Sequence, residues 1–405
     1  MPSVSAPPTT TYLDHAATSP LRPRAFEAME PWLRGRFGNP TAVHRSGREA
    51  RRAVDDARDV IAAALGAEPG EVVFTSGGTE ADNLAILGVD AAVGGRPWCS
   101  AIEHHAVLAP VASAGGHTIP VTGDGRVDLA ALNAMLDAVD AGEISELPSV
   151  VSVMAVNNET GVIQPISEVA AAVRERTPDV RLHVDAVQAL LWLEVAAVVA
   201  PADLVSVSAH KVGGPQGVGA LIVRDGTPMR AQMLGGGQER ERRSGSHNVA
   251  GIVGFAAAVA DAVEQRRVVA ERVGRLRDRL TDGLLVAVPD AFETGVAGTT
   301  STTSVPGAPD RSHKGPATCH LCFEDIEAEA LLFLLDREAI AASAASSCAS
   351  GALEPSHVLA AMGVPRELAA GSLRLSLGPD TTDADVDRAL AVIPAAVARL
   401  RETGR

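Results

Sequence analysis

Short apolar runs alternate with stretches of helical spacing between about residue 70 and residue 225 of the chain. The runs occupy residues 71–74, 98–102, 150–156, 182–185, 204–208 and 219–223. Strands that alternate with helices in this way predict an α/β unit built on a largely parallel sheet. Ligands of such sheets bind on the loops that follow the strand ends, so we expect a functional site among those loops.

The pattern changes after about residue 260, where strands and helices are interleaved differently. Apolar spacing predicts a long helix over 249–285, an amphipathic helix over 324–338, a strand over 372–377 and a last helix over 383–401. The stretch 296–320 is rich in Gly, Ser, Thr and Pro and is predicted to be mostly loop. A chain of 405 residues is long enough for two or three domains. We predict an arm at 1–20 that joins the small domain, a large domain at 21–262 and a smaller α+β domain at 263–405.

The composition argues against several classes of function. Acidic side chains outnumber basic ones by 50 to 35, and no basic run is long enough to follow a phosphate backbone, so no direct binding of nucleic acid is expected. No apolar stretch of about eighteen residues predicts a membrane span, and residues 1–11 lack the pattern of a signal peptide. Four cysteines in so long a chain do not form a disulfide framework, which predicts a reducing, cytoplasmic location.

Lysine is rare in this chain, since only Lys211 and Lys314 occur among its 35 basic residues. A lysine can lose its proton and act as an amine nucleophile, whereas an arginine effectively cannot. Lys314 lies in a polar, turn-rich segment and is predicted to be solvated. Lys211 follows a predicted strand, together with Ser208 and His210, and precedes a glycine-rich turn. Such a lysine can form an imine with an aldehyde, although a surface lysine remains the alternative.

Two further motifs follow predicted strands. Residues 75–80 (TSGGTE) lead into a helix, where backbone N–H groups and a Thr hydroxyl make an anion site; an ordinary capped turn is the alternative. In residues 183–188 (HVDAVQ), Asp185 could pair with a cationic ring nitrogen, or it could cap a helix. A phosphate site, a strand-end acid and a strand-end lysine together point to pyridoxal 5'-phosphate as cofactor.

The sequence resembles the cysteine desulfurases of the class V aminotransferase superfamily, on the NifS/IscS-like branch. The motifs that carry this resemblance are residues 12–18, 38–40 with His44 and Gly47, 75–80, 103–107, 156–161, 183–188, 206–211, 235–239, 243–246, 348–357 and 371–378. The resemblance implies a pyridoxal-phosphate-dependent transferase fold of type I. Its large domain would hold a mostly parallel, seven-stranded sheet flanked by helices, and its smaller α+β C-terminal domain would carry a catalytic cysteine loop. It also implies a homodimer with the cofactor site near the subunit interface.

The resemblance implies roles for single residues by position. Lys211 matches the Schiff-base lysine, Asp185 the partner of the pyridine nitrogen, and His104 the histidine that stacks on the ring and moves protons. Asn158 and Gln188 match contacts to the ring and its oxygen, and Gly78, Thr79, Ser208 and His210 match the phosphate holders. Ser246 stands where the family usually has a threonine that reaches the phosphate from the other subunit.

The substrate side of the site is also implied by the resemblance. Arg374 matches the arginine that clamps the substrate carboxylate, with Asn39 assisting, and the alternative is a strand arginine paired with a surface acid. Cys348, in a loop of small residues, matches the nucleophile that accepts sulfur. Ala345 replaces the glycine that the family usually has three residues before this cysteine, which could stiffen the loop.

The implied activity is that of a cysteine desulfurase, which converts L-cysteine to L-alanine and leaves a persulfide on Cys348. A sulfur-acceptor protein would then receive the sulfur for iron–sulfur cluster assembly or for thio-cofactor or tRNA sulfuration. Alternatives are a selenocysteine lyase, another lyase or aminotransferase of the same superfamily, and a phosphate-binding scaffold without catalysis. A Ser-His-Asp hydrolase ranks last because the chain lacks a Gly-x-Ser-x-Gly elbow.

The other three cysteines are predicted to be structural. Cys319 and Cys322 would face opposite sides of a strand, and no second pair lies near them, so no metal site is predicted. Cys99 lies within an apolar run and is predicted to be buried and inert.

Overall fold

A computed structural model of the chain describes residues 10–144, 146–296, 309–344 and 356–403. The strands are β1 (Thr11–Tyr12), β2 (Val72–Thr75), β3 (Arg96–Ser100), β4 (His117–Ile119), β5 (Pro148–Ser152), β6 (Arg181–Asp185), β7 (Leu204–Ser208), β8 (Gly219–Val223), β9 (Phe292–Glu293), β10 (Thr318–Cys322), β11 (Ile340–Ala341) and β12 (Ser372–Ser376). The helices are α1 (Pro23–Arg34), α2 (Arg45–Ala64), α3 (Gly78–Val93), α4 (His105–Ser113), α5 (Leu129–Asp140), α6 (Ile166–Arg176), α7 (Val195–Val198), α8 (Val249–Ala287), α9 (Ala328–Arg337), α10 (His357–Ala361), α11 (Arg366–Ala370) and α12 (Asp383–Thr403).

A seven-stranded sheet forms the centre of the larger part of the chain, in the order β2-β8-β7-β6-β5-β3-β4. Only β8 runs antiparallel to its two neighbours within this sheet. The residues of β5, β7 and β8 are buried along their whole length, as expected for strands covered by helices on both faces. The predicted α/β class with a mostly parallel, seven-stranded sheet is therefore confirmed.

A second group of strands lies in the later part of the chain. An antiparallel sheet has the order β12-β10-β9, and β1 pairs in parallel with β11. Leu13, which follows β1, is buried in the same apolar cluster as Leu321 of β10 and Leu373 of β12. The first described residues are thus packed against the last third of the chain.

Helix α8 contributes to two of the apolar clusters. Phe255 and Ala262 of α8 belong to the cluster around the large sheet, whereas Val273 and Leu284 belong to the cluster around the small sheet. The long helix predicted over 249–285 is present as α8, which extends two residues further, to Ala287. The predicted limit between positions 262 and 263 falls inside α8, and the domain limits stay a prediction.

One prediction for the segment before β10 is wrong. The stretch 296–320, predicted to be mostly loop, ends in the first three residues of β10, and residues 297–308 lie outside the described chain. Lys314 is not solvated, because its side chain is 0% exposed. Its Nζ lies 3.1 Å from Glu293 Oε1 and donates to the carbonyl of Thr294 at 2.7 Å. The acid that makes this burial possible comes from β9, which local composition around Lys314 does not reveal.

Within the described ranges, no helix combines the length and apolar character that crossing a membrane requires. The same residues hold no group of three or more side chains that could ligate a metal ion.

Candidate active site

A cavity of about 640 Å³ opens at the carboxyl ends of β2, β3, β6 and β7, where the loops that follow these strands meet. Ten residues predicted for the site line it: Gly78, Thr79, His104, Asn158, Asp185, Gln188, Ser208, His210, Lys211 and Arg374. Leu332, Ala342 and Ser343 complete it from the later part of the chain. A cavity thus lies where the sequence predicts a functional site, among the loops that follow the strand ends.

Two predicted site residues in the described part of the chain, Asn39 and Ser246, do not line this cavity. Asn39 is exposed, and its Oδ1 accepts hydrogen bonds from the backbone N–H of Thr41 at 3.0 Å and from the Thr41 hydroxyl at 2.8 Å. Ser246 is also exposed and does not line the cavity. Cys348 and Ala345 lie outside the described residues.

The beginning of α3 forms one wall of the cavity. The N–H groups in the first turn of a helix have no intrahelical acceptor, and they carry the positive end of the helix dipole. Gly78 lets the helix start close to its neighbours, because a Cβ atom there would lie 3.0 Å from Val187 Cγ2. With Thr79 and Ser208 beside it, this wall presents backbone and hydroxyl donors to an anion.

Lys211 ends a short 3₁₀ turn that follows β7, and this turn carries its side chain to the cavity. Its Nζ donates to the backbone carbonyls of Ala16 and Ala17, at 2.5 and 2.7 Å. The Gln188 side chain donates to the same Ala16 carbonyl at 2.9 Å. The N-terminal segment thus holds two of the predicted site residues.

Asp185 is the last residue of β6, and its carboxylate accepts a hydrogen bond from the Val187 N–H at 2.9 Å. Burial raises the pKa of Asp185 to about 6, although this hydrogen bond and the nearby charge of Lys211 act in the opposite direction. A cationic ring nitrogen placed beside it would stabilise its ionised form.

Asp82 is a cavity residue that the sequence analysis missed. It is 1% exposed, and its Oδ1 has no hydrogen-bond partner in the described part of the chain. Burial raises its pKa well above the usual value, and the charge of Asp185 raises it further. The available signal was its spacing, because Asp82 follows Thr79 by three residues and so faces the same side of α3.

His104 caps α4, and its Nδ1 accepts a hydrogen bond from the Ala106 N–H at 3.1 Å. The proton of the neutral ring is therefore on Nε2. Burial, together with the charge of Lys211, lowers the pKa of His104 to about 4, so this imidazole is neutral at pH 7. The same two causes lower the pKa of His210 to about 4, and its Nδ1 lies 3.1 Å from Thr18 Oγ1.

Arg374 reaches the cavity from β12 and is 2% exposed. It donates from Nη1 to the Asn158 carbonyl at 3.0 Å and from Nη2 to Asp14 Oδ1 at 2.9 Å. Its Nε has no hydrogen-bond partner among the described residues. The acid that pairs with it, Asp14, also lines the cavity, so this is not a distant surface pair.

The cysteines inside the described ranges are buried. Cys319 packs in the apolar cluster of Leu13, whereas Cys322 packs in a different cluster with Ile102, which confirms that the two face opposite sides of β10. Burial raises the pKa of Cys319 to about 11 and that of Cys322 to about 12. Cys99 is buried as predicted.

The match to a family model, described as "Aminotransferase class-V", extends over residues 11–389. The chain belongs to the class V aminotransferase family. It is 42% identical over 402 residues to an "IscS-like cysteine desulfurase" of Mycobacterium tuberculosis, and this alignment covers 96% of the chain and 97% of the relative. The family resemblance predicted from the motifs is therefore confirmed.

Two solved structures resemble this fold. A NifS-like protein superposes with a TM-score of 0.84 at 32% identity, covering 96% of this chain and 100% of that one. "SspA in complex with cysteine" superposes with a TM-score of 0.72 at 28% identity, covering 92% and 100%. Within the class V family, these relatives group the chain with the cysteine desulfurases of the IscS and NifS type.

Proposed function

We propose that the protein is a pyridoxal-phosphate-dependent cysteine desulfurase, which converts L-cysteine to L-alanine and leaves a persulfide on Cys348. The observation that carries the proposal is the single cavity shared by Lys211, Asp185, His104 and Arg374. An amine, a buried acid, a neutral imidazole and a guanidinium are the groups this chemistry needs. The relatives named above support the reaction, and the complex of one of them with cysteine supports the substrate.

The residues around the cavity fit the cofactor. The close-packed start of α3 at Gly78 leaves a cradle for its phosphate, with Thr79, Ser208 and His210 as further holders. Asp185 would pair with the ring nitrogen, and Asn158 and Gln188 would contact the ring and its oxygen. When bound, pyridoxal phosphate supplies an electron sink for the α-carbon of the amino acid.

Proton transfer falls to Lys211 and His104. The Ala16 and Ala17 carbonyls hold the Lys211 amine within the cavity, where it would remove the α-proton. His104 holds its proton on Nε2, because its Nδ1 accepts from the backbone of Ala106. A neutral imidazole in this form would donate a hydrogen bond from Nε2 to the substrate sulfur and so assist the chemistry at the thiol.

Sulfur transfer requires a thiolate on Cys348. Its attack on the substrate sulfur forms an S–S bond and breaks the C–S bond. The electron pair of the broken bond would stay on the substrate carbon, which would take up the proton released when the Cys348 thiol ionised and leave as alanine. Ser343, which lines the cavity, precedes Cys348 by five residues, and five extended residues span about 17 Å. This length is sufficient to bring Cys348 to the substrate.

The proposal includes a homodimer in the cytoplasm that hands sulfur to an acceptor protein. Asn39 and Ser246 are exposed and do not line the cavity of their own chain, which supports their use in the site of a second copy. Exposed apolar side chains near them, Phe37 and Leu234, are suited to such an interface. If so, a mixture of the K211A and S246A proteins should recover activity that neither has alone.

The decisive experiment compares Cys348→Ala with a matched control, Cys322→Ala. The purified wild type should be yellow and should release alanine from L-cysteine in the presence of a thiol. C348A should keep the visible band but form no persulfide and release no sulfide, because the sulfur acceptor is gone. C322A, which alters a buried thiol in another apolar cluster, should retain turnover. Full desulfurase turnover by C348A, or an unchanged visible band in K211A, would refute the proposal.

A further inference from the structure

The carboxylate of Asp14 forms part of the site around Arg374. Its Oδ1 accepts from Arg374 Nη2 at 2.9 Å, while the Asn158 carbonyl accepts from Nη1 at 3.0 Å. The guanidinium is therefore fixed at two of its corners. Its Nε is buried and has no hydrogen-bond partner in the described ranges, so this N–H remains available to donate to an acceptor.

The backbone around Asp14 is itself fixed to the strand that carries Arg374. Asp14 forms a β-bridge with Ser376, and the N–H of Ala16 donates to Ser376 Oγ at 2.9 Å. The N–H of Ser376 donates to the Leu13 carbonyl at 2.7 Å. Asp14 thus faces Arg374 from a neighbouring, hydrogen-bonded stretch of chain, so the pair has little freedom to rotate.

Arg374 needs an anionic partner such as Asp14, because its positively charged guanidinium is buried. A buried guanidinium is strongly unfavourable unless an anion or several acceptors compensate it. Other titratable groups near Arg374 include Tyr12, whose pKa burial raises, Glu159, whose pKa burial raises to about 7, and His320, whose pKa burial lowers to about 3. Glu159 is hydrogen-bonded to Ser356 and does not line the cavity. Asp14 is therefore the acid that both pairs with Arg374 and faces the substrate space.

We propose that Asp14 positions the Arg374 guanidinium for the substrate α-carboxylate and thereby sets the selectivity of the site for amino acids over amines that lack this carboxylate. The proposal rests on the proposed function, because it takes Arg374 as the carboxylate clamp. Asp14 acts through Arg374 and is a positioning residue. The same segment holds Lys211 through the carbonyls of Ala16 and Ala17, so one stretch of chain sets the spacing between the carboxylate and amine sites.

The experiment measures Asp14→Ala for binding and for turnover. Loss of a charge-assisted hydrogen bond that orients the clamp should raise KM for L-cysteine by about tenfold or more, while kcat changes by less than about threefold. The inhibition constant of L-alanine should rise equally, whereas that of cysteamine, which lacks the carboxylate, should not change. Asp14→Asn, which keeps the hydrogen-bond acceptor, should show a smaller rise. The double variant D14A/R374A should bind L-alanine no more weakly than R374A.

Asp290→Ala is the matched control, because it removes an exposed aspartate paired with Arg401 and should leave all these constants unchanged. An unchanged or lower KM in D14A, or equal weakening of L-alanine and cysteamine, would overturn the proposal. Binding of L-alanine can be followed through the visible band without any turnover. This measurement therefore tests the role of Asp14 even if a variant is inactive. Failure of the wild type to release alanine from L-cysteine would instead overturn the proposed function.

Discussion

Replacing Glu239 by Gln should destabilise the protein substantially, because this carboxylate joins three separate parts of the chain. Glu239 accepts from Arg58 Nη1 at 2.9 Å and Nη2 at 2.7 Å, and from the backbone N–H of Phe74 at 2.8 Å. His247 Nε2 lies 2.6 Å from its Oε1. These contacts hold a segment in which Glu239 and Arg240 have positive φ angles, 49° and 56°, which are unfavourable for residues other than glycine.

The magnitude follows from the pKa of Glu239. Burial alone would raise it, but hydrogen bonds from Arg58 and His247, the charge of Arg58 and the N–H of Phe74 lower it from 4.5 to about 2. A shift of this size corresponds to about 3 kcal/mol of stability. Because the folded-state pKa is lowered, this contribution is present above pH 4.5 and is lost as the pH falls towards 2. The difference between wild type and E239Q should therefore decrease to below about half by pH 3.

Urea unfolding followed by circular dichroism at pH 7 and pH 3 tests this expectation. Glu49→Gln serves as the control, since Glu49 forms an exposed pair with Arg45 on α2 and should contribute about 0.5 kcal/mol or less. A loss below about 1 kcal/mol for E239Q at pH 7, or a loss that is the same at both pH values, would show that the reasoning from burial and charge is wrong.

Three further results are expected. Asp185→Asn should weaken retention of pyridoxal phosphate and shift its visible band, because the amide cannot pair ionically with a ring nitrogen. Absorbance after gel filtration measures both effects, and a spectrum identical to that of the wild type would contradict the expectation. Lys314→Met should lower the free energy of unfolding by about 2 kcal/mol, because the buried Glu293 carboxylate keeps its ion pair with Arg311 but loses the one with Lys314. Urea unfolding measures this difference, and a change below about 0.5 kcal/mol would contradict the expectation. Iodoacetamide at pH 8 should label Cys319 and Cys322 only after denaturation, because burial raises both pKa values; mass spectrometry of the native protein should find these thiols unmodified.

The alternation of apolar runs and helices was sufficient to predict the class of the fold and the edge of the sheet where the site lies. This succeeded because strands buried on both faces have a strong local signal, and because the ends of parallel strands meet at one edge. The edge strand β4, three residues long, has no such signal and was not predicted. The predicted strand at 150–156 overran β5, which ends at Ser152, because the apolar run continues into the loop below the cavity.

Long-range pairing is what the sequence did not reveal. Lys314 was predicted to be solvated because its neighbours are polar, but its acid, Glu293, lies in β9, about twenty residues earlier in the chain. Asp14 could not be assigned to Arg374, since 360 residues separate them in the chain. Asp82 was missed although its spacing from Thr79 is a local signal, because its proximity to Asp185 depends on how α3 packs in the folded chain.

Helix α8 has a mechanical consequence for the whole molecule. Between Ala262, in the core of the large sheet, and Val273, in that of the small sheet, a single uninterrupted helix connects the two cores. At about 1.5 Å per residue, its 39 residues form a rod of about 58 Å. A continuous helix of this kind resists bending, so it favours movement of the two sheets as one body over a hinged movement of the small sheet away from the cavity. Melting the middle of that rod, for instance with two glycines between these residues, would turn one cooperative unfolding transition into two.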